Sequence, residues 1–272
     1  MMNVDTLRRA FMLQATVLTV GAAFASSPTP SSQSATPHGK GDKPYDVNRK
    51  FYEDGKARPF TGNTIISQIP LHSPIGEALT VIRNTLASHA FSKCWSLLPP
   101  SSYHMTVFEG VIDERRKSGF WPAQVPKDAP LQTCTDYFVR QLMDFALNED
   151  FPVRLLVDDF DVNKDSDATL RLVPANPQEN LKLRGLRDRL SERMGIRAPG
   201  HDDYRFHITL GYLVQWMDDR KIHDCARVQR DCLRYLRDNL GTLELDVPQF
   251  CTFNDMLAFD DKFAIGQRPR TL

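Results

Sequence analysis

The 272-residue chain has no excess of charge: 34 Lys and Arg stand against 34 Asp and Glu. That excludes a generic polyanion binder, which carries a basic surplus, and leaves open a small anion held by a few placed groups. There is no CxxC pair. Cys94, Cys134, Cys225, Cys232 and Cys251 are scattered, which argues against a structural zinc site. The odd number leaves at least one thiol unable to pair within the chain. Cys225 and Cys232 sit two turns apart on an expected helix, roughly 10 Å of rise, too far to bridge; for Cys94, Cys134 and Cys251 pairing stays open. The apolar stretch 11–25 is shorter than the ~20 residues that span a bilayer, and no cysteine follows it, so neither a membrane span nor a lipid anchor is expected. What is present is an ordinary globular composition, 41% hydrophobic and 25% charged, on a chain long enough to need no disulfide staples.

Arg8 and Arg9 precede that uncharged stretch, which ends in Ala23-Phe24-Ala25, small residues of the kind a signal peptidase reads. The arrangement resembles a twin-arginine export signal, so residues 1–25 are set aside as a leader. Residues 26–44 are rich in Ser, Pro, Thr and Gly, have no large apolar residue, and read as a disordered linker. The expected folded domain is 45–272, a monomer without a membrane anchor, periplasmic or secreted, with the twin-arginine machinery as its export partner.

Within that domain, helices and strands alternate in two similar halves. Residues 64–69 are a β-branched strand. Ser73-Pro74 opens a helix with Ile75, Leu79, Ile82 and Leu86 on one face. Residues 103–108 are a strand, 113–130 a loop, 133–147 a helix, and 152–160 and 169–173 strands joined by a polar turn. A helix carrying Leu183, Leu186, Leu190 and Met194 stops at Gly195. Strand 205–212, a long helix 219–240, and strands 243–247 and 252–259 complete the second half. The expected fold is α+β, with two pseudo-symmetric lobes of antiparallel sheet plus helices around a central cleft.

His104-Met105-Thr106-Val107 and His207-Ile208-Thr209-Leu210 share the pattern His-x-Thr-apolar, one copy per half. In a strand, residues i and i+2 share a face. His104 with Thr106, and His207 with Thr209, therefore project together, while Met105, Val107, Ile208 and Leu210 turn to a core. Two such pairs facing one another make a clamp. Its imidazoles can take and give a proton near neutral pH without a cofactor, and its hydroxyls can hold non-bridging oxygens. The three-letter pattern alone is weak; strand context, the apolar residue after each copy, and one copy per half strengthen it. The competing reading is a pair of buried histidines bonded to backbone.

The two motifs, their order and their strand placement over residues 63–259 resemble the 2H phosphoesterase superfamily, which includes bacterial RNA ligase-like and plant cyclic phosphodiesterases. The segments 51–60 and 102–110 resemble its DUF1868 branch. The resemblance implies that His104 and His207 are the motif histidines and Thr106 and Thr209 the motif hydroxyls. It also implies cleavage or formation of 2′,5′ or 2′,3′-cyclic phosphate linkages with neither cofactor nor metal. The export signal departs from relatives that process RNA inside cells.

Of the flanking residues, Arg205 lies two before His207 and is a candidate phosphate ligand, against a surface salt bridge with Asp202 or Asp203. Tyr103 and Tyr212 are candidate stacking residues, against plain packing. His72, His89, His201 and His223 have no motif and are expected at the surface; a metal set of His201, Asp202 and His207 is the minor alternative to no metal. The expected function is metal-independent hydrolysis of a small cyclic phosphate or other nucleotide-type phosphodiester. The alternative is a non-catalytic nucleotide- or ligand-binding protein that kept the fold.

Overall fold

The computed structural model describes residues 41–161 and 167–267; the expected leader and most of the linker lie outside them. The elements follow the order β1 (Gly62–Gln68), α1 (Pro74–Ala87), β2 (Trp95–Leu97), β3 (His104–Ile112), α2 (Leu131–Leu142), β4 (Val153–Phe160), β5 (Ala168–Pro174), α3 (Pro177–Met194), β6 (His207–Leu213), α4 (Asp219–Asn239), β7 (Leu243–Leu245), β8 (Gln249–Phe253) and β9 (Asp260–Ala264). Caps set the helix starts: the Ser73 side chain accepts from Gly76 N, Asn176 from Glu179 N and Asp218 from Lys221 N. Gly195 ends α3 at φ 69°, in the left-handed region that glycine tolerates.

The strands form one antiparallel sheet in the order β7-β4-β5-β6-β3-β1-β8-β9, with β2 also on β6. The order is a pseudo-two-fold about the β6/β3 seam: β6 matches β3, β5 matches β1, β4 matches β8 and β7 matches β9. Each half is broadly paired, but the seam is registered at a single pair, Met105↔Ile208. The two lobes are thus halves of one sheet, joined where the two motifs lie. Met105, Val107, Ile208 and Leu210 are fully buried in one apolar core, as strand alternation requires. Among the described residues no helix is long and apolar enough to cross a membrane.

Three boundaries differ from the sequence reading. The second helix starts at Leu131, directly after Pro130, and ends at Leu142; Phe145 is still buried beyond it. The last expected strand, 252–259, is split. Strand β8 stops at Phe253, and residues 254–259 form a loop in which Leu257 N donates to Asp255 Oδ1, the local side-chain bond that favours a turn over a ladder. The end of the linker is already docked: Pro44 is buried and its carbonyl accepts from Val47 N.

Candidate active site

Both motif strands carry the same irregularity. Opposite consecutive Ile65 and Ile66, β3 offers Phe108 and Thr106; opposite consecutive Ala168 and Thr169, β6 offers Gly211 and Thr209. The extra residues are Val107 and Leu210, each immediately after the motif threonine. A bulge puts two neighbouring side chains on one side and shifts the alternation. The burial patterns begin alike, half-buried His, buried, half-buried Thr, then two buried residues. After the bulge, Glu109 on β3 and Tyr212 on β6 return to the motif face. Each bulge carbonyl is satisfied from outside the ladder: Val107 O accepts from Arg187 Nη1 at 2.6 Å and Leu210 O from Leu98 N at 2.8 Å.

Antiparallel pairing at Met105↔Ile208 places His104 beside Thr209 and Thr106 beside His207. In an antiparallel pair directly opposed Cβ atoms stand about 4.5–5.5 Å apart and diagonal neighbours, the relation of the two histidines, within about 7–8 Å. The two rings are close enough for the charge of His207 to act on His104. Tyr204 ties the corner together: its hydroxyl bonds the Thr106 side chain, and its ring lies 5.9 Å from that of His207.

The two imidazoles are held identically. His104 Nδ1 pairs with Ser102 O at 2.8 Å, and His207 Nδ1 with Arg205 O at 2.8 Å. A carbonyl only accepts, so each Nδ1 carries hydrogen and each Nε2 is left for chemistry. The backbone-bonded reading of the histidines is therefore correct for one nitrogen of each ring, yet both residues stay partly exposed. Burial lowers the His104 pKa to about 4; the Ser102 carbonyl pulls upward and the nearby His207 pushes it further down. His207 is lowered too. Burial is again the main cause, the Arg205 carbonyl raises it, Arg171 lowers it, and Glu109 and Asp161 raise it.

The surroundings break the symmetry. Phe259, from the loop after β8, stands edge-on to His104 with ring centres 4.3 Å apart. Beyond Thr209, Tyr212 has Lys50 Nζ 4.3 Å from its ring centre, and Lys50 also pairs with Asp46 at 3.2 Å. Burial depresses Lys50, but Tyr212, Asp46 and Asp167 more than offset it, so its pKa is raised. Asp167 is pushed up to about 7, first by burial and then by Asp46. At the His207 end stand Glu109, Tyr204 and Arg187. Arg187 is 2% exposed and lies 4.0 Å from the Tyr204 ring centre.

Other sequence candidates fall differently. Tyr103 is 1% exposed and its hydroxyl donates to Leu98 O at 3.4 Å. It is out of phase with His104 and packs in the core, which corrects the stacking reading. Arg205 precedes β6, where the strand phase rule has no force; its carbonyl orients His207, while its exposed guanidinium has no ion pair among the described residues. Asp202 pairs instead with Arg197. His201 is 5% exposed rather than at the surface, with Nε2 3.0 Å from Asp188 Oδ1. Asp188, His201 and Asp202 bring ligand atoms within 4.8 Å of one another. Arg197 bonds both carboxylates, a fixed cation where a metal's charge would otherwise act. All five cysteines are buried and free. A cavity of about 360 Å³ lies away from the motifs, against α2, β8 and β9. Reading the sequence missed Lys50, Glu109, Arg171, Arg187, Tyr204 and Phe259.

No curated protein matches this chain. Among solved structures it is similar to the conserved protein of unknown function ATU0111 from Agrobacterium tumefaciens str. C58. That likeness has 27% identity and a TM-score of 0.76, and covers 84% of this chain and 95% of that one. Residues 50–165, which hold the first motif, match the family model labelled 2H-phosphodiest and described as a domain of unknown function, DUF1868. A phosphoesterase-like role accords with that label for the segment that carries the first motif.

Proposed function

We propose that the protein hydrolyses a small cyclic phosphate or related nucleotide-type phosphodiester, with two histidines and no metal. The reading is carried by one observation: the Met105↔Ile208 register sets each motif histidine beside the other motif's threonine, with both Nδ1 atoms engaged. His104, without a carboxylate among the groups acting on it, is the base; His207, whose protonated form Glu109 and Asp161 favour, is the acid. His104 Nε2 removes a proton from water as its oxygen bonds to phosphorus. The bond from phosphorus to one ring oxygen breaks, and that oxygen takes the proton from His207 Nε2. Thr106 and Thr209 donate to the non-bridging oxygens. Proton exchange with solvent resets both rings.

This proton distribution needs His104 neutral and His207 charged. It gives a bell-shaped kcat/KM with its ascending limb near pH 4 and its descending limb below 6.5, the limbs belonging to the coupled pair. The test is a panel of nucleoside 2′,3′-cyclic phosphates and short oligonucleotides assayed with EDTA present. Turnover with that profile supports the reading. Binding without turnover supports the non-catalytic alternative, although a binder has no use for two matched proton carriers.

We also propose export through the twin-arginine route, from the sequence of residues 1–25. Replacing Arg8 and Arg9 by Lys strands the precursor in the cytoplasm; a wild-type chain found uncleaved in the cytosol contradicts export.

A further inference from the structure

The pseudo-two-fold that exchanges the motifs also exchanges their neighbours on the outer strands. Gln68 of β1 is directly opposite His104, and Arg171 of β5 is directly opposite His207. Directly opposed residues share a face of the sheet. Each neighbour is anchored by a carboxylate. Gln68 Nε2 donates to Asp261 Oδ1 at 2.8 Å. Arg171 donates from Nε to Asp161 Oδ1 at 2.8 Å and from Nη2 to Asp161 Oδ2. One structural position therefore holds a neutral amide in one lobe and a cation in the other.

The fork to Asp161 occupies the Nε–Nη2 edge of the guanidinium. Nη1 has no protein hydrogen bond among the described residues, and the side chain is 20% exposed. The charge of Arg171 reaches both His207 and Tyr204. An arginine held in this way presents its remaining N–H groups with little rotamer freedom left to lose.

We propose that Arg171 binds a non-bridging phosphoryl oxygen through Nη1, and that the Arg171/Gln68 difference fixes which way round an asymmetric phosphodiester lies between the histidines. This deepens the phosphodiester reading above and rests on it. Two equivalent His-Thr pairs accept a diester in either direction, but only one direction puts the leaving oxygen at the protonated ring. A cation beside His207 draws the anionic oxygens to that end. Asp161 and Glu109 offset the repulsion between Arg171 and a charged His207. The difference extends along the face, with Glu109 beyond Thr106 and the Tyr212–Lys50 pair beyond Thr209.

The test measures binding of inorganic phosphate by calorimetry to the full chain and to Arg171→Gln and Arg171→Lys, with far-UV circular dichroism as a check of folding. Loss of one charge-assisted hydrogen bond weakens phosphate binding about 10- to 100-fold in Arg171→Gln. Arg171→Lys, which keeps the charge without the fork, recovers part of it. NMR titration finds the His207 imidazole taking its proton at higher pH in Arg171→Gln, an effect that a purely structural role does not produce. Equal affinity in the wild type and in Arg171→Gln overturns the proposal, as does a wild type that binds no phosphate. Arg171-dependent phosphate binding in a protein that hydrolyses no cyclic phosphate keeps the anion site and removes the phosphodiesterase reading instead.

Discussion

Replacing Phe259 by Ala tests why His104 is held neutral. The ring of Phe259 stands edge-on to the imidazole at 4.3 Å, and burial is the first cause that takes His104 from 6.5 to about 4. That difference means the proton is held about 3 kcal/mol less firmly than in water. Phe259 covers one side of the ring, so admitting water there returns a fraction of it: His104 titrates about 1 pH unit higher, a tenfold gain in proton affinity. The sign carries over to stability. Between pH 4 and 6.5 the unfolded chain binds this proton and the native chain does not, so stability rises with pH across that window. His104 contributes nothing adverse above 6.5 and removes up to about 3 kcal/mol as pH falls to 4; the Phe259→Ala chain loses less over the same interval. Asp167 acts in the opposite sense. Its carboxyl is raised from 3.8 to about 7, so its contribution is full at low pH and is lost as pH rises through 7. Unfolding curves alone therefore mix the two groups. The decisive assay is an imidazole ¹H–¹⁵N NMR titration, which reads His104 itself. A wild-type His104 that titrates near 6.5, or one whose midpoint is unmoved in Phe259→Ala, refutes burial by this loop as the cause.

Thr106→Ala and Thr209→Ala each slow turnover of a cyclic phosphate by about 10²- to 10³-fold, the loss of one oxyanion donor without a proton carrier; steady-state kinetics reads the value, and an unchanged rate removes that hydroxyl from the site. Arg187→Met strands the buried Val107 carbonyl and costs about 1–3 kcal/mol, seen as a lower urea midpoint with unchanged slope; an equal midpoint shows that the bulge does not need its arginine.

The motif pairs were legible because His104, Thr106, His207 and Thr209 obey the two-residue period of a strand, and the apolar residues between them fill a core. The rest of the face was hidden by the bulges. Straight alternation from His207 sends Tyr212 to the core side, and from His104 it does the same to Glu109; only an extra residue at Leu210 and Val107 reverses that. Nothing in the sequence marks those residues as bulged, since the outer strands fix the count. Arg171 and Gln68 depend on cross-strand register, which no local pattern carries. Arg205 shows the converse error, a period applied one step beyond the end of its strand. The split of residues 252–259 matters most for chemistry: read as a strand it is a sheet edge, whereas as β8 plus a loop it brings Phe259 onto His104 and Met256 Sδ to 3.5 Å from the Tyr212 hydroxyl.

The most direct test of the two-histidine account is turnover of nucleoside 2′,3′-cyclic phosphates, with EDTA present, by the wild type, His104→Ala, His207→Ala and the double variant. The account predicts a wild type that is active in chelator, single variants slower by about 10²–10⁴-fold, and a double variant far less impaired than the product of the two losses, because the rings act as one unit. Full activity in the double variant contradicts it.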